Sequence, residues 1–258
     1  MKQLPIKIEI ENIQRGWPVP TTRPVMRQVW SKLLFAHWPI APAVLRPLIP
    51  AGLELDTFEG QAWVGVVPFL MSGIRFFGLP PFPYFSHFLE LNVRTYVTVA
   101  GKPGVYFFSL DASQPTAVTA ARLWYNLRYF RAKMSVTVGA ADKIHYLSQR
   151  KHRPFPPGDF EANYGPKGAI YYSQPGTLEH FLTARYCLYS VDRRQRIYRG
   201  EINHSPWPLQ PAFADLKTNT VAQSWNIVLP ESQPLLYYTD RLDVLAWPIR
   251  KIVPDSKQ

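Results

Sequence analysis

Twenty-six prolines are spread through 258 residues, from Pro5 to Pro254. Each fixes φ and removes a backbone donor, so long helices are interrupted and central strands are cut short. What remains is a series of short segments joined by corners, which suits many strands and not a helical bundle. The segments agree. In "QAWVGVVPFLM", Trp63, Gly65 and Val67 share one face while Val64 and Val66 share the other. "HFLELNVRTYVTV" alternates Leu89, Leu91, Val93, Thr95 and Val97 against Glu90, Asn92, Arg94 and Tyr96. "GVYFFSLDA", "RAKMSVTVG", "KIHYLSQR", "RYCLYSV", "QRIYRGEINH" and "RLDVLAWPI" are similarly rich in β-branched and aromatic residues.

Two segments read as helices. "SQPTAVTAARLWYNL" opens on Ser113 as a cap with Pro115 in the first turn, and "GTLEHFLTARY" begins at Thr177. "MRQVWSKLLFAHWPI" is ambiguous, because Met26, Val29, Trp30, Leu33, Leu34 and His37 fit a helical stripe while its proline-ended aromatic tail fits a strand. No repeat or low-complexity linker divides the chain. The expected fold is mainly β (α+β): an antiparallel barrel or cone with a few packed helices. It forms a single domain over residues 1–258, with 1–20 as an N-terminal extension.

The formal net charge of +11 raises nucleic acid, an anionic membrane or an acidic substrate as partners. Its distribution argues against the first two. "SQRKHRPFPPG" reads as a solvated loop between strands, "RRQR" at Arg193 to Arg196 as a hairpin tip, and neither accompanies a nucleic-acid motif. No run of eighteen apolar residues predicts a membrane span. The N-terminus has no apolar signal segment, so the cytoplasm is the expected location. Cys187 is the single cysteine, and its aromatic and apolar neighbours favour an inert core thiol. The six histidines, at 37, 87, 145, 152, 180 and 204, show no metal-ligand spacing, so no metal is expected. No glycine-rich loop leads into a helix and no GxSxG elbow is present, so no cofactor is expected either.

Two polar stripes carry the candidate chemistry. Glu90, Asn92 and Arg94 share one strand face. That face is either wet or lines a barrel cavity, where a carboxyl beside a cation is set for proton transfer. In "YRGEINHSPWPLQP", Arg199, Glu201 and Asn203 share a face while Ile202 and His204 share the other. The prolines around Trp207 then fix a corner that closes one end of such a cavity. In that arrangement Glu201 opens on the same cavity as Glu90.

The run from Ser86 to Met134 resembles the central segment of acetoacetate decarboxylase, through "FLE" with Glu90, "SLDASQPTA" and "AARL" with Arg122. Over nearly the full length, "GLELDTFEGQAWVGVVPF", "PGTLEHFLTARYCLY" and "RGEINHSPWPLQP" are similar to the YqjF-like family of the acetoacetate decarboxylase-like superfamily. The resemblance implies that fold and a cavity, with Glu90 as an acid–base group, Arg122 as an anion anchor, and Arg122 or Arg94 as the cation beside Glu201. In the decarboxylase a lysine following a proline forms a Schiff base with the substrate. Here Arg128, Tyr129 and Phe130 stand at the matching positions, and Lys133 is out of register. The expectation is therefore a protein that binds a small organic anion. It would act on it without a Schiff base, through Glu90, Tyr129 and Glu201, with Arg94, Arg122, His204 and Trp207 contacting the ligand. The alternatives are a non-catalytic binding or sensing module on this scaffold and an interaction protein using exposed aromatics. A homo-oligomer stays open.

Overall fold

The strands close on themselves twice. The computed structural model describes residues 15–78, 87–114, 127–152 and 155–252. Its strands are β1 (Met26–Ile40), β2 (Glu54–Leu55), β3 (Ala62–Phe76), β4 (His87–Val99), β5 (Lys102–Ala112), β6 (Tyr129–Val138) and β7 (Ile144–Arg150). They continue with β8 (Asp159–Pro166), β9 (Cys187–Val191), β10 (Ile197–Asn203), β11 (Gln210–Asn219), β12 (Leu235–Ala246) and β13 (Arg250–Ile252). Two short helices are described, α1 (Pro42–Leu45) and α2 (Leu178–Thr183).

The first circuit runs β5–β6–β7–β8–β11–β12–β1–β3–β4 and returns to β5, a closed nine-strand barrel. Every pairing in it is antiparallel except β5–β6. The second circuit leaves β5 through a parallel pairing with β9, then passes through β10 to β12. It thus comprises β12, β1, β3, β4, β5, β9 and β10, and it shares five strands with the barrel.

A strand shared by two compartments is covered on both faces, and its sequence loses the clean apolar–polar alternation of a half-exposed strand. That resolves the ambiguous segment: Met26 to Ile40 is β1, not a helix. Leu34 and Ala36 point to the barrel core with Tyr146, Phe160 and Tyr164. Leu33 and Phe35 join Phe69, Met71 and Trp207 on the other side. Irregular register at Ser31 to Ala36, with Lys32 at positive φ, bends the strand, as closure of a small barrel requires.

The anticipated strands form, and Arg193 to Arg196 turn between β9 and β10. The expected solvated loop "SQRKHRPFPPG" is corrected at its start: Ser148 to Arg150 are the end of β7, and Arg150 is buried against Asp111, while 153–154 lie outside the described residues. Thr177 caps α2 by accepting from the His180 backbone N–H at 3.3 Å. β8 and β11 were not among the expected strands. The helix expected from Ser113 onward lies largely outside the described residues, and so does Arg122. The expected extension is not wholly outside the fold: Arg15, 2% exposed, is packed against β10.

Candidate active site

β4 turns one of its faces into the second compartment. A bulge between Val93 and Arg94 opposite β5 adjusts the register, and Glu90, Asn92 and Arg94 all line a cavity of about 400 Å³ there. The polar stripe is therefore interior. β1, β3, β5, β6, β9, β10 and β12 supply most of the rest of the wall, joined by Thr183 of α2 and by Arg185, Trp207 and Trp247; it is mostly apolar and aromatic, with Trp30, Phe69, Met71 and Phe88 among it.

Glu90 is 3% exposed, and its Oε2 accepts a hydrogen bond from the Tyr129 hydroxyl at 2.8 Å. Burial pushes this carboxyl up to about 8; the Tyr129 bond opposes that rise and the charge of Asp111 adds to it. No cation pairs with it among the described residues, so the expected Glu90–Arg94 pair does not form. Its backbone is pinned too, since the Tyr146 hydroxyl donates to the Glu90 carbonyl at 2.8 Å. The result is a carboxyl that is neutral near pH 7, rigidly placed and open to the cavity.

Arg94, 8% exposed, donates through Nη2 to the Leu182 carbonyl at 3.0 Å and lies over the Phe35 ring at 5.2 Å. Its neighbour Tyr96 shares a 2.7 Å hydrogen bond with His37 Nε2. Burial, reinforced by the Arg94 charge, holds His37 well below its usual range, so the ring is neutral. Gly65 makes room for that ring: a Cβ there would come within 3.0 Å of it.

Glu201 opens on the same cavity, with its side chain 14% exposed. Its cations are not the expected ones. Arg15 and Arg199 pair with it, Arg199 at 3.1 Å, and the Trp17 indole N–H donates to it at 3.2 Å. Trp207 lines the cavity, stacked on Trp30 with ring centroids 6.0 Å apart. His204 does not line it. Its Nδ1 donates to the Ser205 carbonyl at 2.7 Å, its ring stacks on Tyr186, and burial lowers it to about 4. This neutral imidazole packs against Trp207, with ring centroids 5.0 Å apart, and stands behind the lining and not in it, unlike the expected ligand contact.

Tyr129 occupies the wall, while Phe130 packs away against Phe155 and Trp225. Lys133 is exposed. No lysine lines the cavity among the described residues. The cavity residues that the sequence reading missed are Arg185, paired with Asp56 at 2.6 Å, and, behind Glu201, Arg15 and Trp17. None of these carries a local motif that marks it. Among the described residues no group of three or more His, Cys, Asp or Glu is placed to hold a metal ion, and no helix is long and apolar enough to cross a membrane.

Residues 27–243 match the family model DUF2071, described as an uncharacterized conserved protein. The chain belongs to the DUF2071 family. It is 45% identical over 238 residues to the protein YqjF of Bacillus subtilis (strain 168), covering 92% of this chain and 97% of that one. Among solved structures, the enduracididine biosynthesis enzyme MppR with HEPES buffer bound superposes with a TM-score of 0.64 at 13% identity, over 91% of this chain and 90% of that one. Acetoacetate decarboxylase from Legionella pneumophila gives 0.59 at 14% identity, over 94% and 96%. An acetoacetate decarboxylase-like enzyme from Sphingomonas wittichii RW1 gives 0.60 at 11%, over 90% and 94%. At these identities the likeness establishes the fold, an acetoacetate decarboxylase-like barrel, and nothing of the chemistry.

Proposed function

We propose that this DUF2071 protein is an enzyme that holds a small organic anion in the second compartment and moves a proton at Glu90, without a Schiff base. One observation carries the reading: a carboxyl buried in a cavity wall, paired with a phenol and no cation, and raised to about 8. Such a group is a proton donor below pH 8 and a base above it. Tyr129 holds the carboxyl in place and returns hydrogen-bonding support to whichever form is present. The reaction supported best is proton exchange at a carbon next to a carbonyl: ionised Glu90, the form that prevails above about pH 8, takes the proton, the carboxyl exchanges it with solvent, and a solvent-derived proton returns to that carbon.

The test is deuterium uptake from heavy water at such carbons in a panel of oxo acids, followed by proton NMR. Wild type should exchange at least one of them, Glu90→Gln should be at least a hundredfold slower, and ligand-induced thermal shifts should survive in that variant. A wild type that exchanges none, or a variant as fast as wild type, sinks the acid–base reading. Borohydride treatment with acetoacetate should leave the protein mass unchanged, because the wall offers Tyr129 and no amine; a stoichiometric adduct would overturn the absence of an imine.

A further inference from the structure

Charged groups on the cavity wall come with counter-charges, with one exception. Glu201 has Arg15 and Arg199, and Arg185 has Asp56. Glu90 is held as a neutral acid by its surroundings. Among the described residues, Arg94 meets the Leu182 carbonyl, the Tyr96 hydroxyl at 3.4 Å and two aromatic faces but no carboxylate, and its Nε has no hydrogen-bond partner. Carbonyl dipoles and ring faces offset part of the desolvation of a guanidinium, but a buried cation without a carboxylate is strongly unfavourable. A fold that keeps one facing a cavity leaves a place for an anion supplied from outside.

The rest of the wall limits what that anion carries. Among the described residues, the fully buried side-chain polar atoms of the lining that lack a partner are, besides Arg94 Nε, Asn92 Oδ1 and Trp207 Nε1. Trp30, Phe69, Met71, Ile74, Phe88 and Leu110 offer no hydrogen bonds except the Trp30 indole, which already donates to Gln28 at 2.9 Å. A dicarboxylate or a phosphate dianion would bring a second charge to a wall whose other arginine, Arg185, is already paired with Asp56, and a sugar would set its hydroxyls against a mostly apolar wall.

We propose that the natural ligand is a monocarboxylate with an apolar body, its carboxylate seated on Arg94 and its body against the aromatic wall. This rests on the cavity being the functional site, as proposed above, but not on proton transfer at Glu90. The Arg fork suits a carboxylate, and the body is drawn in by burial of apolar surface. Arg94 thereby selects charge and the wall selects shape.

Calorimetry on the full chain with octanoate, 4-phenylbutanoate, their primary amides, suberate and inorganic phosphate tests it. At least one of the two acids should bind, at least tenfold tighter than its amide, with suberate and phosphate weaker still. Arg94→Met should remove the preference for acid over amide. If that variant does not fold, the acid–amide comparison in wild type decides alone. An amide as tight as its acid, phosphate or suberate as tight as the monoacids, or no binding of either acid overturns the proposal. Glu90→Gln should bind the acids within about threefold of wild type, since removing its acidic proton leaves Arg94 untouched. Loss of exchange with retained binding supports both readings, whereas wild-type exchange in Glu90→Gln with retained binding removes only the proton-transfer reading.

Discussion

The barrel core and the second compartment lie on opposite faces of the same five strands, and they treat buried polar groups differently. In the barrel, Asp111 and Arg150 face each other with two hydrogen bonds of 2.7 and 2.8 Å, Ser109 takes a third, and Phe130 lies 4.6 Å from the guanidinium. Tyr146, Phe160 and Tyr164 fill the space around Leu91 and Val93. Across β4 the compartment is hollow, Glu90 has a phenol for a partner, and Arg94 has no acid among the described residues. A region selected for stability pairs its charges and fills its volume. A region that leaves a charge unpaired beside an open cavity sets aside stability for a ligand.

Breaking the pair in the filled compartment should have the largest effect. Arg150→Met leaves Asp111 buried without its cation, and urea unfolding should show a loss of about 3–5 kcal/mol. A loss below 1 kcal/mol would erase the contrast between the compartments. Smaller is the effect of Arg15→Ala, which leaves Glu201 with Arg199 and Trp17; a loss of about 1–3 kcal/mol is expected in the same assay. No change would mean that residues 15–17 merely rest on the wall.

Glu90→Gln sharpens the comparison through pH. In the folded chain this carboxyl is raised to about 8, whereas unfolded it titrates in the ordinary range near 4.5. Its protonated form is therefore favoured by folding, and the associated stability is complete below about pH 4.5 and is lost as pH rises towards 8. Wild type should lose stability over that window with a slope of up to about 1.4 kcal/mol per pH unit from this group. The variant should lack that component, and equal slopes in the two proteins would show that Glu90 is not raised. Smallest in stability terms is Ile74→Phe, which adds bulk to the cavity. Unfolding should move by less than about 1 kcal/mol while octanoate binding disappears, whereas comparable overpacking of the barrel costs about 1–3 kcal/mol.

Much of the β architecture was legible because periodicity and proline placement are local properties. Thr177 as a cap, the Arg193 to Arg196 turn and the Glu90, Asn92 and Arg94 stripe each follow from a few adjacent residues. β1 was not settled, because burial on both faces removes the alternation that marks a strand. β8 and β11 were missed altogether. Within the site, Glu90, Arg94, Glu201 and Trp207 share a cavity as their strand faces suggested. The pairings were misjudged: Glu201 meets Arg15, 186 residues away in sequence, and not Arg94.

The sequence alone determined that this chain is built mainly of strands and which residues share a strand face, but not how long the strands run: β1 and β3 each extend over 15 residues through a proline. Those facts depend on backbone stereochemistry and on residue identity, which each position carries with it. Only the tertiary structure decided that the strands close into two compartments, that the polar face of β4 opens into the hollow one, and that Glu90 is raised towards a neutral acid while Arg94 meets no carboxylate among the described residues. Burial and pairing are set by what the fold brings near from distant segments, and that information resides in no single stretch of the chain.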